Sequence, residues 1–366
     1  MKIAVLTSSR ADYGILYPLI SKLKGDKYFK VDIIAFGSHL SIISGKTKQL
    51  IQKDGFDIKY SLHTSPKNDS PLDISNSMAN TISKFAKIWK KEKYKLIIVL
   101  GDRYEMFAAC TSSIPFNIKI AHIHGGETTN GAIDNCFRNS ITQMASIHFT
   151  AAEEYKNRVI ELKRSNLNVY NTGSLSIDNL KKIKLLSIRD FQLKFKIDLS
   201  VPTILITFQP ETVDFEKNIK YISILTETLS ELTNFQLVIT MPNEDTMGMV
   251  IRKKLEIFFK KTPNAIKVET FGMIGYLSCM KHCKMMLGNT SSGFIEASFF
   301  SKFVINIGKR QDGRILTPNI RSVEIDKTQI LAAVKSFSKY KQEKYTDIYG
   351  NGKAAQKIVT IIKNKC

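Results

Sequence analysis

Two short apolar runs in the middle of the sequence, 96–100 and 118–121, each end in a cluster of ionisable residues. The residues that follow these runs are Asp102, His122, His124, Glu127 and Asp134. Short runs of this kind bounded by glycine are typical of buried parallel strands, and ligands bind at the carboxyl ends of such strands. We therefore expect the five side chains to converge at one sheet edge and to carry proton-transfer chemistry.

Three loops that follow predicted strands carry residues suited to binding anions. They are 7–14, 288–293 and 308–314. Glycine and hydroxyl residues ahead of a helix, here predicted at 294–300, present backbone N–H groups to phosphate, and Arg10 and Arg310 add guanidinium groups. One such loop also fits ordinary helix capping or a surface turn. Three at strand ends favour a diphosphate ligand.

The two histidines of the second cluster leave several interpretations open. His122 and His124 are two residues apart, so on an extended strand they would share one face. A zinc site would need further ligands, and no cysteine pair or HExxH motif accompanies them, so we expect no metal. The alternative is two buried histidines satisfied by hydrogen bonds. Asp102 and Glu127 have a similar alternative as salt-bridge partners.

Strand-like and helix-like segments alternate along both halves of the chain, which predicts an α/β fold. The predicted strands are 2–7, 31–36, those around Val99 and Ile120, 147–150, 169–171, 203–208, 235–240, 266–269, 285–287 and 303–307. We predict two Rossmann-like, doubly wound parallel-sheet domains with a cleft between them. The domain with the acid/base residues spans 1–178 and the second spans 179–350. The last helix, within 351–366, fits against either domain, and we assign it to the first.

Composition limits the classes of protein that fit. With 366 residues and 43% hydrophobic residues, the chain is long enough for two domains with their own cores. The net charge of +21 comes from lysines scattered over nearly every predicted helix, without an arginine-rich block. This favours a solvated basic surface that attracts an anionic substrate over a nucleic-acid binder. No apolar run reaches the roughly 20 residues of a membrane span, and no signal peptide is visible, so we expect a cytoplasmic protein without membrane contact.

Seven blocks of sequence, in order, resemble the hydrolysing UDP-N-acetylglucosamine 2-epimerases of bacterial sialic-acid biosynthesis. They are SSRADYG at 8–14, GDRYE at 101–105, HIHGGETTNGAID at 122–134, SIT at 140–142, FTAAEEYKNRVIEL at 149–162, GNTSSGFIE at 288–296 and GKRQDGR at 308–314. The resemblance implies two Rossmann-like domains in the glycosyltransferase-B arrangement. It also implies a homodimer or homotetramer and no cofactor.

The reaction implied by the resemblance converts UDP-N-acetylglucosamine and water to N-acetylmannosamine and UDP. A base removes the C2 proton as UDP leaves, and water adds to the resulting 2-acetamidoglucal. By position, the acid/base candidates are Asp102, Glu127 and Asp134, with His122 and His124 beside them. Most of the positions that bind UDP or the substrate lie in the second domain. They are Arg10, Arg103, Arg138, Asn243, Ser291, Ser292, Gly293 and Arg310. Glu296 matches the position that contacts the ribose, and Thr270 and Phe271 match those that hold the uracil.

Gln209 departs from the pattern of the family. Members usually have His-Pro after the first strand of the second domain, where this chain has Gln209-Pro210. The histidine is a catalytic or phosphate-contacting group, and glutamine forms hydrogen bonds but cannot shuttle a proton. Gln209 therefore joins the catalytic candidates. Position 124 is histidine as in some bacterial members, where others have glutamate.

Three other functions keep the fold and the UDP site. The first is the same chemistry on UDP-2,4-diacetamido-2,4,6-trideoxyglucose, as in the legionaminic-acid pathway. The second is a UDP-sugar glycosyltransferase, against which the carboxylate cluster argues. The third, suggested by Gln209, is a UDP-sugar binder with little activity.

Overall fold

A computed structural model describes residues 1–41, 47–68, 70–213, 215–242, 247–341 and 347–365. The strands are β1 Lys2–Thr7, β2 Lys30–Phe36, β3 Ile58–Leu62, β4 Leu96–Leu100, β5 Lys119–Ile123, β6 Ile147–Thr150, β7 Val169–Asn171, β8 Thr203–Thr207, β9 Gln236–Thr240, β10 Ala265–Val268, β11 Met285–Gly288, β12 Val304–Ile307 and β13 Ile320–Val323. The helices are α1 Arg10–Lys24, α2 Lys48–Lys53, α3 Pro71–Lys91, α4 Tyr104–Ser113, α5 Asp134–Met144, α6 Glu153–Lys163, α7 Leu175–Lys182, α8 Ile188–Phe195, α9 Asn218–Ser230, α10 Gly248–Lys261, α11 Gly272–His282, α12 Glu296–Phe299, α13 Lys327–Ser336 and α14 Ala354–Lys365.

The chain forms two α/β units, each built on a parallel sheet. The first unit has the strand order β3-β2-β1-β4-β5-β6-β7 and the second has β10-β9-β8-β11-β12-β13. In both, the order reverses at one point, between β1 and β4 in the first unit and between β8 and β11 in the second. Ligands bind outside the carboxyl ends of the strands at such a switch point. The predicted fold class of two doubly wound parallel-sheet units is confirmed, and the cleft stays a prediction.

The apolar runs of the sequence form the centres of the two sheets. Ile3 to Leu6 of β1 and the residues of β4 are at most 7% exposed, because helices cover both faces of the sheet. The second core likewise lies around β8, whose five residues are buried. Burial of both faces fixes the strands, and the strand ends then fix where the polar loops begin.

Two edge strands were absent from the sequence prediction. β3 reads Ile-Lys-Tyr-Ser-Leu, with exposed Lys59 and Ser61, and β13 includes exposed Arg321 and Ser322. An edge strand is only partly covered, so polar residues break the continuous apolar run that identifies a central strand. The prediction from apolar runs therefore found the central strands and missed these two.

The two units do not divide the chain at a single point. The first comprises 1–127, 134–181 and 348–366, and the second comprises 128–133 and 182–347. The sequence analysis placed 128–133 in the first domain. In the structure the backbone N–H of Asn130 donates to the carbonyl of Asp312 (3.1 Å) and that of Thr212 to Gly131 (3.3 Å), so the segment packs on the second unit.

The C-terminal helix α14 packs on the first unit, against α1. The buried carboxylate of Asp178 accepts hydrogen bonds from the backbone N–H groups of Ala354 and Ala355, both at 2.8 Å. A carboxylate at this position satisfies N–H groups that the helix itself leaves unpaired. Among the helices of the described residues, none combines the length and hydrophobicity needed to cross a membrane.

Candidate active site

The loop after β1 is held in place by the carboxylate of Asp12. Asp12 Oδ2 accepts hydrogen bonds from the hydroxyl (2.6 Å) and the backbone N–H (3.0 Å) of Ser8, and Oδ1 accepts one from the Ser9 hydroxyl (2.6 Å). Arg10 follows directly, as the first residue of α1, and burial lowers its pKa. The loop therefore holds a half-buried guanidinium at the switch point of the first sheet.

Arg138 connects the loops that follow β4 and β5. Its side chain is 1% exposed; Nη2 contacts the carboxylate of Asp102, and Nη1 donates to the backbone carbonyl of Glu127 (2.9 Å) and to Asn135 Oδ1 (3.1 Å). The Asp102 side chain is 27% exposed. A buried arginine thus brings two of the predicted acid/base residues into one cluster and leaves the Asp102 carboxylate accessible.

His122 is a buried histidine with both ring nitrogens bonded inside the protein. Nε2 lies 2.8 Å from the carbonyl of Gly101, and Nδ1 lies 3.1 Å from the Thr142 hydroxyl. A carbonyl only accepts, so Nε2 carries the hydrogen and Nδ1 accepts from Thr142. Burial lowers the pKa of His122 to about 4, which leaves the ring neutral at pH 7. This geometry favours the alternative of a satisfied structural histidine, and a role in proton transfer stays a prediction.

His124 does not share a strand face with His122, so that prediction is wrong. β5 ends at Ile123, and the backbone of His124 is left-handed, with φ of 66°. The chain turns here because Gly126 follows: a Cβ at Gly126 would lie 2.1 Å from the carbonyl oxygen of Tyr155. The turn places His124 Nδ1 3.1 Å from Glu127 Oε1.

The other ionisable residues of the first unit have different settings. Asp134 is half-buried at the start of α5, one helical turn before Arg138. Arg103 Nε donates to Glu105 Oε1 at 2.6 Å, and burial raises the pKa of Glu105, which is 2% exposed. Arg103 is therefore oriented by a carboxylate that the sequence analysis did not select.

Asn289 connects three loops at the switch point of the second sheet. Its side chain is fully buried; Oδ1 accepts from the backbone N–H of Gln209 (2.7 Å), and Nδ2 donates to the Gln209 carbonyl (2.8 Å). The backbone carbonyl of Asn289 accepts from Gln311 Nε2 (2.8 Å) and Arg310 Nη1 (3.4 Å). One asparagine thus fixes the loops after β8, β11 and β12 relative to one another.

Two arginines of the third loop are held by uncharged oxygen atoms. Arg310 Nε donates to the carbonyl of Pro210 (3.2 Å), and Arg314 Nε donates to Gln311 Oε1 (2.6 Å). Gly131 packs against this loop, where an added Cβ would lie 2.6 Å from the Cα of Arg310. Only glycine permits this approach, which accounts for its place in the 122–134 block.

The loop after β11 forms a 3₁₀ turn, Ser291–Gly293, capped by Thr290. The helix expected at 294–300 is shorter: α12 comprises only Glu296–Phe299, so the prediction was wrong in extent. Phe294 lies outside it and packs under the Arg314 guanidinium, 6.0 Å from ring centre to Cζ. With so short a helix, hydroxyls and backbone N–H groups of the turn, rather than a helix dipole, are what the loop offers to an anion.

The remaining candidates of the second unit are placed as follows. The Phe271 ring is buried and packs against Phe191 (5.3 Å) and Phe195 (4.9 Å), so it builds the unit's core. Thr270 beside it is exposed, and its hydroxyl accepts from the backbone N–H of Gly272 (3.0 Å). Glu296 is half-buried, and Gln209 is 7% exposed. Asn243 lies outside the described residues.

Several residues of these clusters were not singled out from the sequence. They are Glu105, Thr142, Ser174, Tyr276, Asn289 and Gln311. Four lie inside blocks that were recognised, where their position in GDRYE, SIT, GNTSSGFIE or GKRQDGR was a usable signal. The other two lie in no motif, so only the fold brings them to the clusters. The Ser174 hydroxyl lies 3.4 Å from His124 Nε2, and the Tyr276 hydroxyl lies 2.7 Å from Ser292 Oγ.

Comparison with known proteins gives one family. The sequence model described as UDP-N-acetylglucosamine 2-epimerase matches residues 21–363. A Campylobacter jejuni protein named GDP/UDP-N,N'-diacetylbacillosamine 2-epimerase (hydrolyzing) is 35% identical over 326 residues, which cover 89% of this chain and 85% of the relative. A Legionella pneumophila UDP-N,N'-diacetylbacillosamine 2-epimerase (hydrolyzing) is 28% identical, covering 99% and 95%.

The fold also matches a solved structure along its whole length. The crystal structure of UDP-GlcNAc 2-epimerase from Neisseria meningitidis bound to UDP-GlcNAc superposes with a TM-score of 0.86 at 20% identity, covering 100% of both chains.

Proposed function

Since the chain belongs to the UDP-N-acetylglucosamine 2-epimerase family, we propose that it is a hydrolysing 2-epimerase, which releases UDP from a UDP-linked 2-acetamido sugar and inverts C2. The observation that carries this proposal is the Asp102–Arg138–Glu127 cluster at the switch point of the first sheet. In this cluster Arg138 holds the accessible carboxylate of Asp102 and binds the backbone carbonyl of Glu127. Removal of a weakly acidic C–H proton needs a carboxylate positioned in this way.

The acid/base steps belong to residues of the first unit. A carboxylate takes the C2 proton, the C1–O bond to UDP breaks, and a C1–C2 double bond forms. An acid then returns a proton to the opposite face of C2, and water adds its oxygen to C1 and gives its second proton to a carboxylate. Asp102 is our choice for the base because its carboxylate is 27% exposed, while the Glu127 side chain is 4% exposed; Glu127 and Asp134 are the acid candidates.

Residues of the second unit hold the departing UDP. Arg310 and the hydroxyls of Ser291 and Ser292 follow β12 and β11, where phosphate oxygens are recognised by guanidinium, hydroxyl and backbone N–H groups. Cations and donors that are fixed before the reaction stabilise the charge that develops on the leaving diphosphate. Glu296 and the backbone near Thr270 are the proposed contacts to ribose and uracil.

UDP-N,N'-diacetylbacillosamine, the 2,4-diacetamido-2,4,6-trideoxyglucose nucleotide, is our first candidate for the substrate. The Campylobacter and Legionella relatives carry that sugar in their names and share 35% and 28% identity with this chain. UDP-N-acetylglucosamine is the second candidate, favoured by the description of the family model. The two sugars differ at C4 and C6, so a single assay on both separates the candidates.

The test offers the protein each UDP-sugar alone and then both in equal amounts. We expect free UDP and the 2-epimer of the 4-acetamido sugar, with kcat/KM about tenfold or more above that for UDP-N-acetylglucosamine. The opposite preference assigns the second candidate. An epimerised UDP-sugar without free UDP contradicts hydrolysis, and UDP release that requires an acceptor assigns a glycosyltransferase instead.

A further inference from the structure

A chain of hydroxyl groups runs from the middle of the second sheet to the turn after β11. Thr207 Oγ1 lies 2.7 Å from Thr240 Oγ1 and 3.5 Å from the hydroxyl of Tyr276, which lies 2.7 Å from Ser292 Oγ. Tyr276 projects from α11, so it links an element outside the loops to the turn that carries Ser292. The chain reaches Ser292, which we assign to phosphate binding and whose Oγ also lies 3.1 Å from the Thr290 hydroxyl.

The direction of the hydrogen bonds can be worked out from the inner end. Thr240 Oγ1 contacts the carbonyl of Ile206 at 3.2 Å, and a carbonyl only accepts, so the Thr240 hydrogen is used there. Thr207 must then donate to Thr240, which leaves Thr207 Oγ1 as an acceptor for Tyr276. The Tyr276 hydroxyl therefore has two possible acceptors, Thr207 on one side and Ser292 on the other.

An anion at the outer end selects one of these two arrangements. Phosphate oxygens accept only, so Ser292 must donate its single hydrogen to the phosphate. The Tyr276 hydrogen then points to Ser292 Oγ, which fixes the serine rotamer and increases the polarity of its O–H bond. Burial raises the pKa of Tyr276 to about 12, so the phenol keeps this hydrogen throughout the neutral range.

We propose that Tyr276 is a positioning residue for the diphosphate, which acts by donating a hydrogen bond to the hydroxyl of Ser292; this rests on the proposed function of the second unit. Phenylalanine has the same ring but no hydrogen to donate. The Tyr276→Phe variant should therefore keep the packing of α11 and lose the orientation of Ser292.

The experiment compares binding of UDP and of uridine by calorimetry. Loss of one hydrogen bond predicts that Tyr276→Phe weakens UDP binding about three- to tenfold and leaves uridine binding within about twofold. KM for the UDP-sugar should rise by a similar factor, and kcat should fall as well, because Ser292 contacts the diphosphate on which charge develops as UDP leaves. Tyr170→Phe, which removes a hydroxyl in the first unit, is the matched control and should change neither constant.

A double-mutant cycle separates positioning from a purely structural effect. In a Ser292→Ala background, Tyr276→Phe should weaken UDP binding no further, because the group it orients is gone. Equal weakening of UDP and uridine, or additive effects in the cycle, would overturn the positioning role. Unchanged UDP affinity in Tyr276→Phe overturns it as well, whereas a wild-type chain that binds no UDP overturns the proposed function itself.

Discussion

The two switch points have the same topology and opposite chemistry. In the first unit the contacts include ion pairs, Asp102 with Arg138 and Arg103 with Glu105, and the imidazole of His124 lies beside the Glu127 carboxylate. In the second unit the contacts described around Asn289 and Tyr276 are between amides, hydroxyls and carbonyls, and Arg310 is held by carbonyl oxygens. Positioned carboxylates suit proton transfer, and a guanidinium held by uncharged carbonyl oxygens suits an anion. Under the proposed function, the same sheet topology would provide the acid/base groups in one unit and the leaving-group contacts in the other.

The largest effect should come from the carboxylate of the first unit. Asp102→Asn removes the proposed base, so we expect kcat to fall about 100- to 10,000-fold. UDP affinity should change little, because UDP is assigned to the second unit. A turnover assay with calorimetric UDP binding checks both, and Asp57→Asn, at an exposed position, is the matched control. Retained kcat would remove Asp102 from the mechanism.

Asn289→Ala tests the amide network of the second unit. It leaves the buried backbone N–H and carbonyl of Gln209 without their present partner, so the free energy of unfolding should fall by about 2–3 kcal/mol. UDP affinity should fall too, since the loop after β8 loses its side-chain link to the loop after β11. Urea denaturation and calorimetry measure these changes, with exposed Asn234→Ala as the control. A stable variant with normal UDP binding would refute the role of Asn289 as an anchor.

The buried histidines of the first unit predict acid sensitivity. Burial lowers the pKa of His148 to about 3, and its Nδ1 has no hydrogen-bond partner among the described residues. Between pH 6.5 and 3 the unfolded chain binds this proton and the folded chain does not, so stability falls as the pH falls. His148→Leu should reduce that slope by about 1.4 kcal/mol per pH unit. Denaturation at several pH values from 4.5 to 7 measures the slope of stability against pH. The control His63→Leu, at an exposed position, should leave this slope unchanged. If His148→Leu also leaves it unchanged, His148 is not the source of the acid sensitivity.

The smallest effect is expected at Gln209. Asn289 holds the backbone of Gln209, so the loop keeps its place whichever side chain stands there. If glutamine is tolerated at this position, Gln209→His changes kcat by less than about threefold and leaves UDP affinity similar. Steady-state kinetics on the variant provide the measurement. A large rise in kcat would instead favour the alternative of a UDP-sugar binder that has lost activity with its histidine.

The comparison of the two units also explains what the sequence could predict. Continuous apolar runs identify central strands such as β1, which was predicted at its exact bounds, as were β6 and the edge strand β7. The residues after these strands could therefore be assigned to one edge. Contacts that depend on backbone turns were not predictable: the left-handed backbone at His124 and the position of 128–133 follow from close packing at Gly126 and Gly131. Tyr276 illustrates the same limit, because a tyrosine on an ordinary helix gives no sign of which loop it contacts.

The central claim is that this chain removes the C2 proton and expels UDP in one reaction. Proton NMR of the protein with UDP-N,N'-diacetylbacillosamine, and separately with UDP-N-acetylglucosamine, in deuterated water reports both events. We predict free UDP together with a 2-epimerised sugar that carries deuterium at C2, and no such product with Asp102→Asn. Retention of the original hydrogen at C2, or an intact UDP-sugar as the final product, would contradict the claim.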